Sequence, residues 1–368
     1  MTAGFDVLVR GAGAVGLTAA LALGRQGLRV ALLGATATPP NDVRTYALNA
    51  ASVALLAQLK VWDALPADAR SAVYDMHVEG DAPGAAIDFS AWSQGAETLA
   101  WIVDAAELEA ALRTAVRYAP HVTEVAADVD APLVVLAEGK ASAAREALGV
   151  RMPFQPYGQR AVAARLVADW PHAGLARQWF RSPDVLALLP FDRPAPGRSY
   201  GLVWSVPDAR ADELLALDDA AFETALADAT GAAAGPLRLA GPRAAWPLSL
   251  ARADRVAGPG WVLVGDAAHV VHPLAGQGLN LGLGDVAVLA QVLAAREPWR
   301  ALGDERLLAR YARERALPTR AMGHVTDALL HLFASERPIL KTLRNRGLVL
   351  VNHLPPLKRL LTARALDA

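Results

Sequence analysis

The segment "FDVLVRGAGAVGLTAALALGRQGLRVALLG", residues 5–34, decides the fold. Its apolar run at residues 7–9 predicts a strand, the Ala- and Leu-rich pattern from Ala14 to about Arg25 predicts a helix, and residues 30–33 predict a second strand. A strand, a tight turn, a helix and a second strand in this order form a β-α-β unit with parallel strands. The chain is therefore expected to be an α/β protein that begins with a parallel sheet covered by helices.

Three glycines mark the turn between the first strand and the helix. Gly11, Gly13 and Gly16 have the G-x-G-x-x-G spacing: the first permits the turn, the second lets a pyrophosphate approach the backbone, and the third lets helix and strand pack closely. The helix N-terminus supplies free N–H groups for the phosphates. The pattern predicts a Rossmann-like dinucleotide site, although Gly34 occupies the place where an acidic residue normally binds the ribose.

The composition of the whole chain excludes several classes of function. Its 368 residues suit two domains, and a formal net charge of −1 gives no field that favours nucleic acid. The chain has no cysteine, so it forms no disulfide, and no apolar run reaches the roughly 18 residues of a membrane-spanning helix. The first residues lack the pattern of a signal peptide, so we expect a cytoplasmic protein.

The middle of the chain has the alternating patterns of short antiparallel strands. These patterns occupy residues 73–100 and 153–247 and are interrupted by a predicted helix at residues 212–230. We predict that they form an inserted, mostly antiparallel substrate domain. The other ranges are assigned to a discontinuous nucleotide-binding domain (1–72, 101–152 and 248–330) and to a C-terminal helical segment (331–368).

Two further helices are predicted from apolar periodicity. Arg44 is expected at the head of one that continues to Trp62, and Asp104 is expected to cap another that ends near Tyr118.

A second informative segment is "VLVGDAAHVVHPLAGQGLNLGLGD", residues 262–285. His269 and His272 lie three residues apart, but there is no H-E-x-x-H motif and no cysteine, so no metal site is predicted. The chain also lacks the G-x-S-x-G elbow of a serine hydrolase. The alternative is a site made largely of backbone: a strand ending in Asp266, which can accept hydrogen bonds from a polyol or ribityl chain, followed by a glycine-rich loop. The loop's N–H groups, at the start of a helix predicted from Gln277, can stabilise negative charge on a reduced heterocycle.

The ordered set of motifs resembles the FAD-dependent aromatic-ring monooxygenases, specifically the ubiquinone-biosynthesis hydroxylases. The Gly11–Gly16 unit resembles that family's FAD-phosphate motif, and "RTYALNAAS" from Arg44 matches a segment whose arginine lies near the FAD. "YGQRAV" from Tyr157 matches a strand typical of the ubiquinone subgroup, and residues 246–283 match the second FAD motif almost residue for residue. The similarity covers essentially the whole chain.

The resemblance implies FAD as cofactor, NADH or NADPH as co-substrate, and molecular oxygen. A flavin C4a-hydroperoxide would hydroxylate a phenol or quinol ring, here an apolar, polyprenylated ubiquinone precursor. The nucleotide-binding domain is then the FAD-binding domain. The implied cofactor-binding residues are Gly11, Gly13, Ala14, Val15, Gly16, Arg44, Glu138, Gly265, Asp266, Pro273, Gly276, Gln277, Gly278, Leu279 and Asn280. Candidate catalytic residues on the oxygen side of the flavin are His272 and Pro273, and candidate substrate residues are Tyr157, Gln159 and Trp246.

Three positions depart from the family pattern. Gly34 replaces a ribose-binding Glu, Glu138-Gly139 stands in place of Asp-Gly, and Gly284 stands where an Arg usually precedes Asp285. Two alternatives therefore stay open. One is a non-catalytic member that binds FAD weakly and scaffolds a quinone-biosynthesis complex, and the other is a flavin monooxygenase of another aromatic or isoprenoid pathway.

The C-terminal residues 337–364 mix Arg and Lys with Leu. Such a segment suits peripheral contact with the inner membrane face or with a biosynthetic complex. The alternative is a helical pair that packs on the body of the protein and exposes a basic face to solvent.

Overall fold

The computed structural model describes residues 4–34, 42–82, 84–272 and 277–334. The strands, in chain order, are β1 (Val7–Arg10), β2 (Val30–Leu33), β3 (Thr45–Leu48), β4 (Arg70–Val73), β5 (Asp75–Glu79), β6 (Ala86–Ser90), β7 (Ala100–Asp104), β8 (Val122–Val125), β9 (Leu133–Leu136), β10 (Phe154–Ala168), β11 (Leu175–Arg181), β12 (Asp184–Phe191), β13 (Ser199–Pro207), β14 (Leu237–Leu239), β15 (Ala244–Arg252), β16 (Ala257–Gly258), β17 (Trp261–Leu263) and β18 (His269–Val270). The helices are α1 (Ala14–Gly24), α2 (Ala50–Gln58), α3 (Ala91–Gln94), α4 (Ala105–Arg117), α5 (Ala143–Ala147), α6 (Asp208–Ala216), α7 (Asp219–Thr230), α8 (Gln277–Ala294) and α9 (Glu305–Ala334).

The predicted parallel sheet is confirmed. Its strand order within the described residues is β16-β17-β9-β1-β2-β8, and β1 pairs in parallel with both β2 and β9. The central strands are apolar along their length because helices cover both faces; Val7, Val9 and Val30 are fully buried in one core with α1, α4, α8 and α9. The carboxyl ends of β1, β2, β9 and β17 therefore meet at one edge of the sheet, where open α/β folds bind their ligands.

The predicted antiparallel sheet is also present. Its path among the described residues is β18-β15-β10-β13-β12-β11-β5-β6, and the long strand β10 lies between β13 and β15. On one face Val162, Ala164 and Leu166 of β10 pack in a core with Phe222 of α7. Successive side chains of a strand point to opposite faces. Arg165 accordingly points the other way and donates to the carbonyl oxygen of Arg44 at 2.8 Å, so this second face is turned toward the parallel-sheet half.

Two helix predictions were wrong in detail. Arg44 does not begin a helix: it precedes β3, and α2 begins only at Ala50, where the Asn49 side chain accepts a hydrogen bond from the Ser52 N–H at 2.8 Å. The side-chain oxygen of an asparagine can accept a hydrogen bond from a backbone N–H at the helix start. An arginine side chain has only donors and cannot do so. The single helix predicted over residues 212–230 is two helices, because Asp218 caps α7 separately.

The helix predicted from Asp104 is confirmed as α4. The Asp104 carboxylate accepts from the N–H groups of Ala106 and Glu107, at 2.9 and 3.2 Å.

The predicted domain boundaries stay a prediction. The antiparallel sheet includes the end of β15 and all of β18, which fall inside the range 248–330 assigned to the FAD-binding domain. Of the predicted C-terminal segment, residues 331–334 end α9, while residues 335–368, including the basic stretch 337–364, lie outside the described residues. None of the described helices is long and apolar enough to cross a membrane.

Candidate flavin site

The turn after β1 has no room for side chains at two of its glycines. A Cβ on Gly11 would collide with the carbonyl group of Ala137, just past β9, and a Cβ on Gly16 would collide with the carbonyl oxygen of Gly11. Gly13 differs, because a Cβ there would meet no described atom within 4 Å. Gly13 is the N-cap of α1, and no side chain caps the helix there, so its first N–H groups are suited to bind a pyrophosphate.

The end of β2 explains the missing acidic residue in structural terms. Gly34 has φ +136°, a conformation that L side chains rarely adopt, and a Cβ there would lie 3.2 Å from the Ala12 nitrogen. The backbone at Gly34 therefore approaches the glycine turn closely. A glutamate could occupy this position only after a change of backbone conformation.

Glu138, which follows β9, is engaged within the protein. Its carboxylate accepts hydrogen bonds from Arg10 Nε at 3.1 Å, from Ser142 Oγ at 2.6 Å and from the Ala144 N–H at 3.3 Å. These contacts fasten the end of β1 to the start of α5. A contact between Glu138 and FAD stays a prediction.

Val15, in the Gly11–Gly16 turn and α1, packs against the Gly265 turn and α8. Gly265 follows β17 with φ +62°, and a Cβ there would lie 3.2 Å from both methyl groups of Val15 on α1. A Cβ on Gly282 of α8 would lie 2.7 Å from the Val15 Cγ2 atom. Val15 thus fills the gap between the Gly265 turn and α8, and it brings together two motifs that are about 250 residues apart in the chain.

A buried cluster of charges holds the Gly265 turn. Asp285 on α8 accepts a hydrogen bond from the Gly265 N–H at 2.9 Å, pairs with His269 Nε2 at 2.7 Å, and pairs with Arg315 Nε on α9 at 2.6 Å. Burial opposes ionisation of Asp285, but His269 and Arg315 outweigh it and lower the pKa of this carboxyl. Burial likewise opposes protonation of His269, but the Asp285 carboxylate outweighs it and raises the pKa of the imidazole. Asp285 and His269 therefore each favour the charged form of the other.

Asp266, beside this turn, has a different environment. Burial raises the pKa of its carboxyl, and the charges of Lys140, His269 and Arg44 only partly oppose that effect. Among the described residues no hydrogen bond reaches this carboxylate. A carboxylate at the sheet edge without a protein partner has both oxygens available for hydroxyl groups of a ligand.

The start of α8 is fixed by Asn280. Its Oδ1 accepts from the Asn49 N–H at 3.1 Å and from Ser52 Oγ at 2.7 Å, and its Nδ2 donates to the Ala47 carbonyl at 2.8 Å. Asn280 therefore joins α8 to β3 and α2. Gln277, Gly278 and Leu279 form the first turn of α8, while Pro273 and Gly276 lie outside the described residues. Cofactor contacts by this group stay a prediction.

His272 is fully buried and has no hydrogen bond to a described residue. Neither ring nitrogen has a partner in the described structure, and the ring packs edge-on against Tyr157, with centroids 5.4 Å apart. Burial lowers the pKa of His272 to about 4, so the imidazole is neutral at physiological pH. A buried polar group without a partner is costly, which marks this position as one where a ligand group is expected.

The predicted substrate residues lie on two neighbouring strands: Tyr157 and Gln159 on β10, and Trp246 on β15. The register of these strands shifts between Pro156 and Arg160, which places Tyr157 in an irregular segment. Gln159 is buried; its Nε2 donates to the Pro183 carbonyl at 3.1 Å, while its Oε1 has no partner within the described part of the chain. Trp246 is partly exposed, and its ring centroid lies 5.8 Å from the guanidinium carbon of Arg44.

Arg44 itself is held by a bidentate ion pair. Its Nε and Nη2 donate to the Asp42 carboxylate at 2.9 and 2.6 Å. The hydrogen bonds that Arg44 donates to Asp42 outweigh burial and raise the pKa of Arg44 above its ordinary value, so the guanidinium keeps its charge.

Three residues of this site were missed in the sequence: Gly282, Asp285 in its bonding role, and Arg315. His269 was noted, but only as a possible metal ligand. In the described ranges no cluster of three or more His, Cys, Asp or Glu side chains is arranged to hold a metal ion.

Comparison with known proteins extends these observations. Residues 4–113 and 91–325 match the family model described as FAD binding domain. The ubiquinone hydroxylase UbiL of Rhodospirillum rubrum is 32% identical, covering 98% of this chain and 89% of its own length. The 3-demethoxyubiquinol 3-hydroxylase of Escherichia coli is 30% identical over 96% of each chain. PqsL, a probable FAD-dependent monooxygenase from Pseudomonas aeruginosa, has the same fold, with a TM-score of 0.76 at 23% identity over 94% of this chain and 99% of that one.

The fold, the glycine turn and the relatives together define an FAD-dependent enzyme of the aromatic-ring hydroxylase class. The residues present fit the cofactor: no described atom lies within 4 Å of a Cβ built at Gly13, the N-cap of α1, and Asp266 has no partner among the described residues. The chain belongs to the FAD-binding-domain family, within which its sequence is similar to ubiquinone hydroxylases. The predicted family, fold class and cofactor are confirmed.

Proposed function

We propose that this enzyme hydroxylates an electron-rich phenol or quinol ring of a ubiquinone precursor, with NADH or NADPH as reductant and molecular oxygen as co-substrate. The observation that carries the proposal is the 32% identity to a ubiquinone hydroxylase over 98% of the chain. Bound FAD supplies the redox chemistry, in which one oxygen atom enters the ring and the other leaves as water. The protein binds and orients the two partners and excludes water.

The residues at the sheet edge support a division of labour in cofactor binding. Gly13 and the N-terminus of α1 bind the pyrophosphate, where the helix end offers N–H donors. Asp266 accepts hydrogen bonds from the ribityl chain with a carboxylate that no described residue engages. The absence of an acidic residue at Gly34 leaves the ribose to other groups.

His272 is assigned to the substrate side of the site. The ring is neutral, because burial lowers its pKa to about 4, and both nitrogens lack partners among the described residues. A neutral imidazole can accept a hydrogen bond from a phenolic hydroxyl or donate one to its oxygen, and so orient the ring. Replacing His272 with Gln should lower kcat about 100-fold while leaving the FAD dissociation constant unchanged. An unchanged kcat would remove His272 from the reaction.

The proposal is tested with purified protein. The absorption spectrum with and without added FAD reports cofactor binding. A quinol precursor analogue with a short isoprenoid chain should then accelerate NAD(P)H oxidation, and under ¹⁸O₂ the product should gain one labelled oxygen by mass spectrometry. FAD binding without any hydroxylated product would favour the non-catalytic scaffold, and no FAD binding at all would contradict the proposed function.

The third alternative, a monooxygenase of another pathway, is separated by quinone profiling. A strain without this gene should accumulate a ubiquinone precursor that lacks one ring hydroxyl. Unchanged quinones in that strain, together with activity on other phenols in vitro, would assign the enzyme elsewhere.

Peripheral contact with a membrane is proposed for the basic segment 337–364. Seven Arg and Lys residues interspersed with leucines support it, because anionic lipid attracts such segments. The full chain should co-sediment with vesicles of phosphatidylglycerol and phosphatidylcholine more than with phosphatidylcholine alone, and a chain ending at Ala334 should lose that difference. Equal sedimentation of both chains would contradict the proposal.

A further inference from the structure

Arg315 connects α9 to the flavin site through two residues of α8. The side chain is buried; its Nε donates to Asp285 Oδ1 at 2.6 Å, and its Nη2 donates to the carbonyl oxygen of Leu281 at 3.0 Å. Leu281 and Asp285 are one turn apart on α8. A planar guanidinium can hold both acceptors at once, which a lysine ammonium does less well because it lacks the fork of donors.

The space for this guanidinium depends on Gly284. A Cβ at that position would lie 3.2 to 3.4 Å from three guanidinium atoms of Arg315. Such a contact is tight, so a side chain at position 284 would require the guanidinium to shift by a few tenths of an ångström. Because Gly284 on α8 has no side chain, the guanidinium of Arg315 from α9 can pack against the helix at this position.

The contacts continue from Arg315 to the flavin-binding segment. Asp285, held by Arg315 through one oxygen, accepts the Gly265 N–H through the other, and Gly265 directly precedes Asp266. One turn earlier on α9, the Tyr311 hydroxyl donates to the Leu263 carbonyl at 2.7 Å. α9 thus contacts the end of β17 directly and Gly265 through Asp285, just before Asp266.

We propose that Arg315 is a positioning residue for FAD: it fixes the Asp285 carboxylate, which in turn fixes the Gly265–Asp266 turn against the cofactor. This inference rests on the FAD binding of the proposed function, and it adds a residue that does not touch the cofactor. Residues that act through a neighbour typically change affinity by about 2- to 30-fold. We therefore expect the FAD dissociation constant to rise about tenfold in Arg315→Gln.

The experiment measures the FAD dissociation constant by quenching of FAD fluorescence, together with the melting temperature of the apoprotein. Arg310→Gln is the matched control, because Arg310 lies on the same helix and pairs with Glu297, away from Asp285. Arg315→Gln should weaken FAD binding, Arg315→Lys should weaken it less, and Arg310→Gln should leave it unchanged. Equal FAD affinity in Arg315→Gln and wild type, or equal losses in Arg315→Gln and Arg310→Gln, would overturn the inference.

Gly284→Ala keeps the test decisive if Arg315→Gln does not fold. Alanine favours the helical state more than glycine does, so the helix itself is not weakened, while the new Cβ contacts the guanidinium closely. The FAD dissociation constant should rise about threefold with no drop in melting temperature. Unchanged affinity in Gly284→Ala would count against the inference. Wild-type protein that binds no FAD would instead overturn the proposed function, so the two failures are distinguishable.

Discussion

The two glycine-centred turns of the flavin site are built by different physics. The Gly11–Gly16 turn is fixed by contact, since the backbones of β1, β9 and α1 approach so closely that a Cβ at either glycine would overlap a carbonyl group. The Gly265 turn is fixed by buried charge, through Asp285, His269 and Arg315. Steric contact fails abruptly and is insensitive to pH, whereas a charge cluster weakens by degrees and depends on protonation.

The largest effect is expected at Gly16. Gly16→Ala places a Cβ against the Gly11 carbonyl oxygen, and backbone cannot move aside cheaply, so we expect a loss of on the order of 5 kcal/mol in unfolding free energy and no FAD binding. Urea unfolding of the apoprotein measures the first and FAD titration the second. Gly13→Ala is the matched control: its Cβ meets open space, so the apoprotein should lose less than about 1 kcal/mol while FAD binding weakens. Similar stability losses in both variants would show that the turn is not fixed by contact.

Asp285→Asn should have the next largest effect. It leaves the buried Arg315 without its countercharge, and breaking one partner of a buried pair costs about 3 kcal/mol or more in unfolding free energy. Asn can still accept from the Gly265 N–H, so the turn should keep its shape. Glu297→Gln provides a comparison, because Glu297 pairs with Arg300 and Arg310 at the surface and its loss should be much smaller. Equal losses would contradict the assignment of a buried charge cluster.

His269 should make the stability depend on pH. Asp285 raises the pKa of His269 in the folded state above the ordinary value of 6.5, against burial and the nearby Arg315, and with support from Asp266. A raised pKa stabilises the fold fully below the unfolded value and loses that contribution as the pH rises through the folded pKa. A folded pKa one pH unit above the unfolded pKa corresponds to about 1.4 kcal/mol of stability.

The stability advantage of wild type over His269→Gln should therefore be largest near pH 6 and should shrink toward pH 9. The lower pH lies just below the ordinary histidine pKa of about 6.5, and the upper pH follows from the rise of that pKa on folding. Asp285 stays ionised throughout this window, because its pKa is lowered below 3.8 in the folded state. Thermal melts of both proteins across this range measure the difference. A difference that does not vary with pH would mean that His269 is neutral in the fold.

The smallest effect is expected at Glu138. Its pair with Arg10 is partly exposed, so Glu138→Gln should cost less than about 1 kcal/mol in unfolding free energy. FAD titration of the same variant tests its predicted contact with the cofactor: unchanged affinity would limit Glu138 to joining β1 and α5, and a rise in the dissociation constant would support the predicted role.

The Gly11–Gly16 turn could be predicted almost completely from the sequence, because the residues that form it are close together in the chain. A strand, three glycines at fixed spacing and a helix occur within residues 7–24, and the structure places all of them as expected. The charge cluster could be predicted only in part. Nothing near Arg315 in the sequence indicates a partner 30 residues away on another helix, and the pattern around Asp285 is that of an ordinary helix residue. The start of α2 was predicted wrongly for a similar reason. Residues 45–48 form β3 by pairing with a distant strand, so the helix can begin only after them, at the cap formed by Asn49.

The order in which the parallel strands occur along the chain also sets an order of assembly during synthesis. β9 pairs with β1 on one side, but its other partner, β17, begins about 125 residues later, after the whole of β10 to β15 has been made. At roughly 5–20 residues per second, the ribosome takes about 6–25 s to supply that strand. Until then β9 is an open sheet edge, and the Gly11–Gly16 turn has no Gly265 turn to pack against. The nascent chain must therefore pass through a half-built nucleotide fold, in which the antiparallel sheet is available before the cofactor site can close.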